Sequence, residues 1–392
     1  MTTPLNPFAG SRRDIRKGTV KFFITAALLC ACFLCFGISC TGKKESAPPP
    51  PFPSASPQTT EAGITQQVQD LIKSGKYDEA VKKIDSGVLK KLTVGDFEDI
   101  TDMFRNAGRK NEALQVVEAA RKEFPDNREI LRLYSNLLFD CGRGEQAEEA
   151  IIDDMEKEGK SPGYYYMLLG ELSILKRDKP EAAETLKRSI EFLGIESRRI
   201  NVPEGTLQAY AEACTLYGSV MLKQKKYKKA GKILDKALHI CDQIKQETGA
   251  EAAGDRYSAV YFQKARLNMI QNKLPEALEC VENVGKYAPG SMDYYVIRSE
   301  YYRAAGDFKN AEKVLLEMIR EKPLMEDEAS IRLSSVYCGM KDKLQALKYF
   351  RLAMEKTGNK AKIINLMGEN PFFDFIKDEP EVKKAMTEVS HK

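Results

Sequence analysis

Gly306-Asp307-Phe308-Lys309-Asn310-Ala311 decides how the chain is read, because Gly75-Lys76-Tyr77-Asp78-Glu79-Ala80 repeats its pattern far upstream. Each is a glycine, a charged residue, an aromatic one, two polar ones and an alanine. Looser copies run Gly108–Ala113, Gly142–Ala147, Arg177–Ala182, Lys225–Ala230, Asn272–Ala277 and Lys341–Ala346; successive copies begin 33, 34, 35, 48, 47, 34 and 35 residues apart. A step of about 34 residues marks an array of helix–turn–helix units. No unit of that size buries its own apolar face, so neighbours stack in series. Function in such an array lies in the surface it presents.

The flanking residues support two helices per unit. Around Gly306, the residues Tyr295, Tyr302, Phe308, Ala311, Leu315 and Met318 recur at helical spacing and mark inward faces. Gly306 suits a helix end that needs a left-handed backbone. Ala311 is small where the two helices cross closely. Pro323 ends the second helix, and Pro125 and Pro289 do the same in other units.

This pattern resembles the tetratricopeptide repeat family. Leu169-Gly170 and Tyr217-Gly218 stand at its Leu-Gly position, and Tyr77, Tyr227 and Phe308 at its turn aromatic. Ala80, Ala113, Ala147, Ala182, Ala230, Ala277, Ala311 and Ala346 supply its tightly packed alanine, and Ala120, Ala237 and Ala353 a later one. The resemblance implies an all-α, right-handed α-solenoid of about eight hairpins, registered at 61–94, 94–127, 128–161, 163–196, 211–244, 258–291, 292–325 and 327–360.

It also implies that the first helix of each unit lines a concave groove for a protein or peptide partner. Carrying the family's groove positions across gives Arg132, Asn136 and Phe139, then Tyr164, Met167 and Ile174, then Leu222. Phe262, Arg266 and Met269 follow, with Val296 and Arg303 after them. Read this way, the middle of the groove is apolar and flanked by charge, as a peptide-binding groove requires. Arg132 with Asn136 resembles half of the clamp that some family members use for a C-terminal carboxylate, but Met167 and Glu171 break the pattern.

Composition narrows the remaining classes. The chain has 61 basic and 57 acidic residues and no tryptophan; its only histidines are His239 and His391. The excess positive charge sits in residues 1–39, and the rest balances to zero, which argues against nucleic acid as a partner. There is no phosphate-binding glycine loop, CxxC or HExxH outside the leader. The acidic pairs read as solvated helix faces. No enzyme, cofactor or metal is expected. Cys141, Cys214, Cys241, Cys280 and Cys338 read as small packing residues.

The N-terminus reads as an address. Arg12 to Lys21 is basic, Phe22 to Ile38 is apolar, and Ser39-Cys40 precedes a polar stretch. Residues 1–39 resemble a bacterial lipoprotein signal, in the looser form of spirochaete lipoproteins, with Cys40 as the lipidated residue. An uncleaved anchor and plain cleaved secretion are the other readings of the same run. Residues 40–60 hold Pro48-Pro49-Pro50-Pro51 and read as a semi-rigid spacer, 61–360 as the array, and 361–392 as a C-terminal cap. Phe372, Phe373, Phe375 and Ile376 would cover the last unit.

Insertions at 197–207 and 246–256 are expected as longer helices with a surface loop, or as a bend or a loop entering the groove. The expectation is a membrane-anchored, extracytoplasmic scaffold, on the periplasmic face or the cell surface. A transport accessory holding a small apolar molecule or lipid, and a purely structural envelope factor, are the alternatives.

Overall fold

The computed structural model describes residues 61–85, 88–157, 162–200, 202, 205–357, 360–368 and 370–390. Residues 1–60, with Cys40, the leader and the proline spacer, lie outside the described residues. The described residues are all helix and connecting turns. Eight helical hairpins follow one another. They are α1 (Glu61–Lys73) with α2 (Tyr77–Asp85), α3 (Val94–Asn106) with α4 (Lys110–Glu123), and α5 (Arg128–Asp140) with α6 (Gly144–Met155). Next come α7 (Pro162–Leu175) with α8 (Lys179–Glu196), α9 (Thr206–Lys223) with α10 (Tyr227–Thr248), and α11 (Ala250–Ile270) with α12 (Leu274–Tyr287). The last two are α13 (Met292–Ala304) with α14 (Phe308–Glu321) and α15 (Glu326–Gly339) with α16 (Lys343–Lys356).

The turn inside each hairpin has one geometry. Gly75, Gly108, Gly142 and Gly306 have φ of 74–77°, and Arg177, Lys225, Asn272 and Lys341 take the same place with φ of 57–62°. In each, the left-handed residue donates its N–H to a carbonyl three back, and the next residue donates to one five back, as Lys225 does to Leu222 and Lys226 to Met221. The repeat therefore imposes a left-handed residue even where glycine is missing. A left-handed conformation costs an L-residue about 1 kcal/mol or more. Lys225→Gly is expected to stabilise the chain by about 1 kcal/mol, read as a rise in the urea midpoint.

All eight register alanines are fully buried, as are Ala120, Ala237 and Ala353. The Leu-Gly glycines are closed by the partner helix: a Cβ on Gly170 would stand 2.5 Å from Leu186 Cγ, and one on Gly218 2.6 Å from Leu234 Cδ2. These contacts fix how each hairpin closes.

The second insertion lengthens helices, whereas the described residues 197–200, 202 and 205 of the first are turns and coil between two long helices. α8 and α9 have 18 residues each, α10 has 22 and α11 has 21. The alanine- and glutamate-rich stretch 246–256 is helical apart from Gly249 (φ 94°), which separates α10 from α11. Hairpins five and six therefore begin earlier than the register positions 211 and 258. The physical reason is that good helix formers extended the helices where a loop was an option.

The apolar core runs the length of the array and changes hands on α11. Tyr257, Val260 and Leu267 pack with hairpins one to five, and Phe262 and Ala265 pack with hairpins six to eight. Beyond α16, α17 (Lys360–Gly368), a short 3-10 turn (Pro371–Phe375) and α18 (Pro380–Ser390) lie on the last hairpin. Phe373, Ile376 and Val382 are buried there, with Phe372 and Phe375 packed against the same cluster.

Candidate partner-binding face

From α1 through α11, each first helix touches the first helix of the next hairpin. Second helices make no comparable contact apart from α2 with α4. First helices that crowd together while second helices splay give a curved stack with the first helices inside. From α3 to α11, each first helix is thus covered on three sides, by its own partner helix and by both neighbours. Only a narrow stripe reaches solvent.

That stripe is polar. Arg132 on α5 forks onto Glu171 of α7, with Nε to Oε2 at 2.9 Å and Nη2 to Oε1 at 3.1 Å. The same guanidinium pairs with Glu212 on α9. Asn136 donates to Glu171 at 3.4 Å. Tyr164 donates its hydroxyl to the Arg128 carbonyl and to Glu129. One arginine therefore ties three successive first helices.

A second network starts on α11. Arg266 forks onto Glu300 of α13 at 2.9 and 2.7 Å, and Arg332 of α15 reaches the same carboxylate at 2.8 Å. Arg332 also holds Glu328, and Lys362 on α17 meets that carboxylate at 2.9 Å. Arg303 donates to Asn370 at 3.4 Å, and Asn370 donates to Ser335 at 2.6 Å.

The charges report their surroundings. Burial pushes the Glu300 carboxyl upward, but Arg266, Arg332 and Arg303 outweigh it and hold it at about 2. Burial raises Glu212, with Arg132 opposing and Glu171 and Glu129 adding to the rise. Burial opposes the charge on Arg132, but Glu171 and Glu212 prevail and its pKa rises. Side chains of Arg132, Glu171, Glu212 and Glu300 keep 13–27 % exposure although protein surrounds them closely. A concave surface gives that combination.

The twelve groove residues read from the sequence divide. Arg132, Asn136, Phe139, Ile174, Arg266, Met269 and Arg303 keep partial exposure. Met167 (0 %), Val296 (2 %), Tyr164 (5 %), Leu222 (8 %) and Phe262 (8 %) are buried in the core. The apolar trough is thereby corrected: its middle is interior packing, because the covered arc of each first helix is wider than the family's groove positions assume. The reading of acidic residues as solvated faces is corrected too. Glu300 and Glu328 are 13 % and 4 % exposed and belong to the networks. The signal for them was spacing: Arg266, Glu300 and Arg332 stand 34 and 32 residues apart, one repeat step each. Glu212 had no such signal, since the first insertion breaks the period before it.

Among the described residues no group of three or more His, Cys, Asp or Glu is placed to hold a metal ion, and no helix is long and apolar enough to cross a membrane. The five array cysteines are free thiols, four of them buried. Burial pushes Cys214, Cys241 and Cys338 up to about 12.

Residues 105–172, from α3 to α7, match the family model described as tetratricopeptide repeat. No curated protein sequence matches the chain. The crystal structure of a Rap protein complexed with competence and sporulation factor is similar to it at 11 % identity, over 86 % of this chain and 98 % of that one, with a TM-score of 0.50. A tetratricopeptide repeat protein from Parabacteroides merdae is 14 % identical over 70 % of this chain and 97 % of its own, with a TM-score of 0.41. At such identity the likeness to the Rap structure speaks for the fold. The class is therefore an all-α solenoid of helical hairpins. Within it, the segment 105–172 is similar to the tetratricopeptide repeat.

Proposed function

We propose that the chain is a protein-binding scaffold that holds an extended segment of a partner along its first helices. The observation that carries this reading is the polar stripe, which runs from α5 to α17 on the concave side and is fixed there by arginine–carboxylate forks. A preformed row of fixed charges orders little on binding and favours partners of complementary charge. The Rap protein, similar in fold, was crystallised complexed with competence and sporulation factor, a precedent for a partner on such an array.

The basic-then-apolar leader, Cys40 and the proline spacer support a lipid tether that places the array outside the cytoplasm. The small-apolar-ligand reading loses its main support, because Met167, Leu222 and Phe262 are buried. A structural envelope role draws on Ile195 and Ile200 at the first insertion, which are 62 % and 102 % exposed.

Photo-crosslinking in the native membrane tests these readings. A photoreactive residue at Asn136 or Met269 is expected to capture a partner, and one at Leu316 on a second helix is not. Capture from Ile200 alone would favour the structural role and contradict the groove.

A further inference from the structure

The geometry points to a partner segment carrying acidic side chains, docked along α11–α17 with one Asp or Glu on Arg303. This deepens the groove reading and rests on it. Arg303 lies on the exposed stripe of α13, one turn beyond Glu300. Glu300 is already shared by Arg266 and Arg332, and Glu328 is shared by Arg332 and Lys362. Among the described residues no carboxylate pairs with Arg303. It has the Asn370 side-chain oxygen Oδ1 at 3.4 Å and the Phe372 ring at 5.1 Å. Both supports are neutral and both are held in place, Asn370 by its bond to Ser335 and Phe372 by the Phe308 ring at 5.9 Å.

Burial lowers the Arg303 pKa, Glu300 opposes this, and Arg332 and Arg266 add to it. That is the condition of a guanidinium short of counter-charge. An incoming carboxylate meets it with two parallel N–H···O bonds. The other half of the face turns such a segment away. There Glu98, Glu129, Glu171 and Glu212 surround Arg132, with Arg128 at the rim over Tyr164. A side-chain carboxylate fits better than a chain terminus. The face continues past Arg303 to Ser335 and α17, and the neighbouring guanidiniums are taken.

The test selects short random displayed peptides on the full-length protein, then measures synthetic copies by fluorescence anisotropy. Selected peptides are expected to be rich in Asp and Glu and to bind equally well with the C-terminus free or amidated. Arg303→Gln should weaken them about tenfold, whereas Arg320→Gln, at an exposed second-helix position, should not. Asn370→Asp, which places a carboxylate beside Arg303, should weaken them similarly and keeps the test open if Arg303→Gln fails to fold. Binding to the Asn370→Asp and Arg303→Gln proteins as tight as to wild type, loss of binding on amidation, or selection of neutral or basic peptides would overturn the inference. If such peptides still crosslink to first helices, the groove reading stands alone; if they crosslink only to second helices, both fall.

Discussion

Met167→Asp is expected to unfold the fourth hairpin, and not to release a partner from an otherwise intact array. Met167 sits on α7 with no exposed surface, inside the core shared by hairpins one to five. An aspartate there is either ionised without a partner or protonated at neutral pH, and both are costly. The loss should exceed about 4 kcal/mol, the range reserved for buried charges and large cavities. Stability in a stacked array is carried by neighbouring interfaces, so the loss should spread to hairpins three and five. Circular dichroism and urea melts check this. Met167→Leu, which conserves volume, should cost less than about 1.5 kcal/mol. A folded Met167→Asp protein of unchanged stability would mean that this face of α7 is open, as an apolar groove requires.

Glu300→Gln is the second large effect. It leaves Arg266 and Arg332 facing a neutral amide at a site where the carboxylate is only 13 % exposed. Breaking a buried pair from one side costs about 3 kcal/mol. The pH dependence follows from the depressed carboxyl. Its pKa is about 2 when folded against an ordinary 4.5. The stabilisation is fully present above about 4.5 and is lost as pH falls through about 2. The gap in urea midpoint between wild type and Glu300→Gln should therefore narrow steadily over that window. Glu212 has the opposite sign, because its pKa is raised. Its contribution favours the folded state at low pH and is lost as pH rises through the folded value. A constant gap across the window would show that Glu300 is not held by the three arginines.

The architecture was legible from very little. The alanine register and the turn residue are sterically forced, since a close helix crossing excludes a larger side chain and a left-handed turn favours glycine. Where Lys225 or Arg177 replaces glycine, the alanine five residues on still marks the place. The insertions were harder, because Ala-Glu-rich sequence does not say whether it extends a helix or leaves it. The exposure of the groove positions was half legible. Arg132, Asn136, Arg266 and Arg303 follow from register alone, as long polar side chains have only one direction in which to reach solvent. Phe262 and Val296 do not follow, because an apolar residue at the edge of a stripe is decided by how closely the next hairpin packs. The Arg132–Glu171, Arg266–Glu300 and Arg332–Glu300 pairs lie 32 to 39 residues apart and depend on neighbour contact that no local pattern contains.

Amide hydrogen exchange of the full-length protein with and without a crosslinked or selected partner tests the central claim most directly. A partner held on the inner face should slow exchange in α5, α7, α9, α11 and α13, with smaller change in α6, α8, α10, α12 and α14. Slowing confined to the second helices, or to the first insertion, would contradict a concave partner-binding face.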